Sequence, residues 1–74
     1  MTIEYVTKEK VQSLHYMIPG LLGKLALAPE EAQFVLISDE KLLKTIFSVA
    51  IVLDGEVFYL SNDDYLEALE AFLS

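Results

Sequence analysis

The dipeptide Asp54-Gly55, set between two runs of β-branched and aromatic residues, constrains this chain more than any other feature. Residues 46–61 read Ile-Phe-Ser-Val-Ala-Ile-Val-Leu-Asp-Gly-Glu-Val-Phe-Tyr-Leu-Ser, and Asp-Gly readily fills the two positive-φ positions of a type I′ hairpin turn. A two-residue loop fixes the register of the strands it joins. Leu53 is expected opposite Glu56, Val52 opposite Val57, Ile51 opposite Phe58, Ala50 opposite Tyr59 and Val49 opposite Leu60. This register puts Phe47, Val49, Ile51, Leu53, Phe58 and Leu60 on a core side, with Ser48, Ala50, Val52, Val57, Tyr59 and Ser61 on a milder side. The hairpin anchors a fold but carries no chemistry.

Around it the remaining elements follow from periodicity. Thr2 to Val6 alternates polar and apolar residues and predicts a short strand. Thr7 is placed to cap a helix whose apolar face holds Val11, Leu14, His15 and Ile18, ended or kinked at Pro19-Gly20. Leu21 to Leu27 resumes the helix for about two turns. Ala28-Pro29-Glu30-Glu31 is a turn or a fresh helix start. Phe34 to Ile37, four large apolar residues in a row, predicts a strand buried on both faces. Ser38-Asp39-Glu40 resembles a helix cap leading into a short helix with Leu42, Leu43, Ile46 and Phe47 on one face. The competing reading is one long strand from Leu43 to Leu53. After the hairpin, Ser61-Asn62-Asp63-Asp64 caps a terminal helix whose stripe is Tyr65, Leu66, Leu69, Phe72 and Leu73, expected to cover Ile51, Phe58 and Leu60.

These elements give a small mixed α/β chain of the α+β class, one domain over residues 1–74. Its order is β-α-β-(α)-β-β-α, with a central antiparallel hairpin packed by the C-terminal helix. Small thioredoxin-like domains share a similar element order, but Val6-Thr7-Lys8-Glu9 stands where their paired cysteines would be, and no proline precedes Val49. The likeness is one of element order and supports no family assignment. With no cysteine in the chain, redox, disulfide and thiolate-metal chemistry are excluded.

Size sets a second constraint. For 8.3 kDa, surface scaling gives about 4,600 Å² folded against roughly 12,000 Å² extended. Apolar burial of ~110 kcal/mol then meets an ordering cost of about the same size. A chain that is 54% hydrophobic and only marginally stable alone is expected to meet a partner through exposed apolar surface, as a homodimer or larger homo-oligomer. The apolar stretch from Tyr16 to Leu27 reads either as a kinked core helix or as that docking surface; on the second reading Tyr16, Leu21, Leu22 and Leu25 are the partner-binding residues, with Tyr59 added from the milder hairpin face.

Twelve acidic against five basic side chains give a net charge of −7. This disfavours direct nucleic-acid contact and anionic membranes, and points to a protein partner with a basic or apolar surface. No stretch reads as a signal peptide or a membrane span, so a cytoplasmic location is expected. His15, the one histidine, has no second ligand or nucleophile near it in sequence and reads as a packing or boundary residue. The acidic pairs Glu30-Glu31, Asp39-Glu40 and Asp63-Asp64 read as helix starts rather than as metal or acid–base sites. Gly20, Gly23 and Gly55 form no phosphate-binding loop. No catalytic, cofactor-binding or metal residues are assigned. The function expected is a small non-enzymatic protein–protein interaction or regulatory module that self-associates. The alternative is an acidic inhibitor that mimics nucleic-acid charge or blocks a basic protein surface.

Overall fold

Asp54 and Gly55 both lie at positive φ, 52° and 78°, in the computed structural model, which describes residues 1–74. Such a backbone is that of a type I′ turn. It joins β3 (Lys44–Leu53) to β4 (Glu56–Leu60), with Leu53 opposite Glu56 and Val52 opposite Val57. One residue later the register departs from expectation. Ile51 pairs with Tyr59 and Ala50 with Leu60, which makes Phe58 the extra residue of a β-bulge and leaves it 51% exposed.

The bulge reassigns the faces of β4. Tyr59, not Phe58, joins Phe47, Val49 and Ile51, while Leu60 joins Ala50, Val52 and Val57. Ser61 closes β4: its N–H donates to the Val49 carbonyl at 3.0 Å, and its hydroxyl accepts from the Val49 N–H at 2.9 Å. The same hydroxyl lies 3.0 Å from that of Ser48, the one buried polar residue. Ser61 is therefore committed to β3 and takes no part in a capping box.

Residues 38–47 are strand and turn: the short helix does not form, and the competing reading of one long strand into Leu53 holds, β3 starting at Lys44. β2 (Gln33–Lys41) runs straight through Ser38-Asp39-Glu40, reverses at Leu42-Leu43, and pairs with β3 over nine consecutive residues, from Gln33 opposite Val52 to Lys41 opposite Lys44. Local capping preference loses here to cross-strand pairing, which continues the β2–β3 ladder without a break to Lys41 and Lys44. β1 (Thr2–Val6) adds to the other edge of β2, giving an all-antiparallel sheet of order β1-β2-β3-β4.

Val6 lies opposite Phe34, so the 26 residues between β1 and β2 leave and return at one end of the sheet. They do so as an out-and-back pair of short helices, α1 (Lys8–Gln12) and α2 (Leu21–Leu27), with a 3-10 turn at His15–Met17 between them. The Thr7 hydroxyl caps α1 by accepting the Lys10 N–H at 3.2 Å. α1 ends well before Pro19, because the Ser13 hydroxyl donates to the Lys10 carbonyl and the Leu14 N–H reaches back three residues to Val11. Gly20, at φ 77°, turns the chain into α2.

Val11, Leu14, Ile18, Leu21 and Leu25 cover one face of the sheet, packing on Leu36, Val49 and Ile51. α3 (Leu66–Leu73), preceded by a 3-10 turn at Asp63–Tyr65, covers the other, where Tyr65 and Leu69 pack on Val35, Ile37, Ala50 and Val52. The C-terminal helix therefore packs on the β3–β4 hairpin, but over Ala50, Val52, Val57 and Leu60 rather than over Ile51 and Phe58. Its entry is capped by Asn62, whose side chain accepts the Asp64 N–H at 3.0 Å.

Gly55 tests this framework. An added side chain would meet no atom within 4 Å, so its cost is confined to the backbone at φ 78°. Gly55→Val is expected to lower the unfolding free energy in urea by about 1–3 kcal/mol. An unchanged urea midpoint would contradict the turn geometry.

Candidate interaction surface

The two sheet edges stop short of the β2–β3 turn. β1 pairs no further along β2 than Ser38, and the last ladder pair of β4 is Leu60 with Ala50. Asp39 to Ile46 therefore form a two-stranded arm, joined by the pairs Asp39–Ile46, Glu40–Thr45 and Lys41–Lys44. At ~3.3 Å per residue the arm reaches about 13 Å past the four-stranded body.

Its tip breaks three local rules. Leu42 and Leu43 are fully exposed, at 104% and 103%, the highest of any large apolar side chains in the chain. Leu42 holds φ at 54°, whereas Leu43 is not at positive φ, a pattern of a type II′ turn, whose first central position favours glycine. A leucine there costs about 1–3 kcal/mol. Finally, Lys41 and Lys44 sit directly opposite each other across the ladder, a like-charge pairing that weakens a hairpin. Leu42, Leu43 and Ile46 border a single surface hollow together with these two lysines.

The base of the arm is held by Asp39. Its carboxylate accepts the Tyr65 hydroxyl at 3.0 Å and lies 3.7 Å from the Lys41 ammonium. Tyr65 is buried at the entry to α3, so this bond ties the helix to the first residue of the arm. Burial pushes the Tyr65 phenol above the ordinary tyrosine range, and the hydrogen bond to Asp39 and the negative charges of Asp39 and Asp64 push it the same way.

At the opposite end of β3, beside the Asp54-Gly55 turn, lies a cleft of about 460 Å³. Val57, Leu66 and Leu73 form its apolar lining, and Glu56 and Glu70 are its charged members.

The residues expected to bind a partner are dispersed by the fold. Leu21 and Leu25 are buried against the sheet, which corrects their placement at an interface: with Ile18 they supply cover for one sheet face, while Met17 and Leu27 of the same stretch stay exposed. Tyr59 is half-buried under α2, with the Lys24 ammonium 5.5 Å from its ring centre. Tyr16 and Leu22 are exposed. His15 is also exposed, edge-on to Tyr16, and so is not a packing residue. Of the acidic pairs, Asp63-Asp64 does open a helical turn, whereas Glu30-Glu31 lies in the turn before β2 and Asp39-Glu40 within β2. In the sequence Leu42 and Leu43 fit the apolar face of a short helix, so nothing in the residue pattern marks them as exposed. No helix is long and apolar enough to cross a membrane.

The Tyr65–Asp39 bond has a pH signature. The folded state holds the phenolic proton more tightly than the unfolded chain, whose tyrosines titrate near pH ~10. Its stabilisation is therefore complete below that pH and is lost as pH rises through the folded value. Urea unfolding between about pH 8 and pH 11.5 should show a steeper alkaline loss in wild type than in Tyr65→Phe. Parallel curves would contradict the bond. No protein-family model, curated protein or solved structure matches this chain, so a functional reading of it rests on this geometry.

Proposed function

We propose that this chain is a non-enzymatic protein–protein interaction module that self-associates, and that the β2–β3 arm is its docking element. The observation that carries this reading is the tip: two fully exposed leucines, the first at positive φ, between two lysines. Each feature lowers the stability or solubility of the isolated chain, and glycine at 42 would relieve the strain at once. A strained and apolar tip of this kind is what a docking knob requires, since burial in a partner returns the cost of exposing it.

The test separates docking from folding. Sedimentation equilibrium should show wild type gaining mass with concentration over about 1–100 µM, and Leu42→Gly/Leu43→Ser remaining monomeric at a melting temperature equal or higher. A wild type that is monomeric throughout, or a variant that associates equally well, would contradict the proposal.

A further inference from the structure

The arm and the acidic cleft complement each other, and we infer that the arm of one copy docks in the Val57–Leu66–Leu73 cleft of a second copy. This rests on the reading of the arm as a docking element and names what receives it. The knob presents Leu42 and Leu43 between Lys41 and Lys44, and the cleft presents three apolar side chains with Glu56 and Glu70. Its volume, about 460 Å³, lies in the range of clefts that hold compact ligands. Docking brings two lysines that repel each other across the ladder up to two carboxylates, and removes the leucines from water.

The occupant is a second copy because one chain cannot serve itself. Arm and cleft lie at opposite ends of β3, whose ten residues separate them by ~33 Å, comparable with the 36 Å long axis of the molecule. Two copies laid side by side and antiparallel put each arm at the other's cleft, so a closed pair makes the contact twice. An anionic lipid surface is the lesser fit for the same tip, because the chain carries a net charge of −7 and the Lys41 ammonium is already close to Asp39.

Charge exchange tests the contact on the full chain. Lys41→Glu/Lys44→Glu and Glu56→Lys/Glu70→Lys are each expected to weaken self-association by about tenfold or more, and an equimolar mixture of the two to restore it, since arm and cleft then match in both directions. Sedimentation of each variant and of the mixture reads this out, with thermal melts confirming that both variants fold. Association of wild type that is lost in the arm variant but kept in the cleft variant, or not rescued by mixing, would overturn the cleft as receptor and leave the arm reading standing. A wild type monomeric at all concentrations would overturn both. Co-sedimentation of monomeric wild type with phosphatidylserine-containing vesicles, abolished by Leu42→Ser/Leu43→Ser, would reassign the tip to a lipid surface.

Discussion

Nine consecutive backbone pairs between β2 and β3 are the interaction on which the rest of this structure depends. The pairing places Leu36, Val49 and Ile51 on one side of the sheet and Val35, Ile37, Ala50 and Val52 on the other, all buried. A sheet apolar on both faces needs cover on both. The helices that provide it have five, seven and eight residues. Such lengths are too short to be stable alone, so each helix exists because the sheet face beneath it is apolar. The dependence also runs the other way, since neither face could remain dry without its helices.

The same ladder produces the arm. β2 and β3 pair with each other further than β1 or β4 follows them, and the excess becomes the arm. Two-stranded ribbons are marginal in water without an apolar face to cover them. This one is steadied at its base by Tyr65 and Asp39, and it ends in a turn whose residue choice works against it. Body and tip therefore obey different rules. In the body, polar satisfaction is complete, with no buried side-chain nitrogen or oxygen left unpaired. At the tip, strain, exposed apolar area and like charge coincide on four residues, a local conflict of the kind that function tolerates.

Where one turn dominates its neighbours, the structure could be read from residues alone. Asp54-Gly55, the Thr7 cap, the bounds of α2 at Leu21 and Leu27, and the burial of Tyr65 and Leu69 all follow from nearest-neighbour chemistry. The bulge at Phe58 could not be, because Val57, Phe58, Tyr59 and Leu60 all suit a strand in either register. The choice is made by distant groups: Lys24 and α2 over Tyr59, and the Ser61 hydroxyl on Val49. Ser38-Asp39-Glu40 misleads for a related reason, since in an arm open to water a strand needs no alternation and its polar residues mimic a cap. The exposure of Leu42 and Leu43 is hidden for the same reason, while in the apolar stretch from Tyr16 to Leu27 two leucines, Leu21 and Leu25, are core and two, Leu22 and Leu27, are exposed.

The proposed docking requires an arm that is unprotected in the monomer and becomes buried only between copies. Amide hydrogen exchange followed residue by residue at low and high protein concentration tests it most directly. In dilute solution the arm from Lys41 to Thr45 is expected to exchange far faster than Val35 to Ile37 and Val49 to Val52. On concentration, the arm and the segment around Val57 and Leu66 should gain protection together while the core is unchanged. An arm as protected as the core in dilute solution, or one whose exchange ignores concentration, would contradict it.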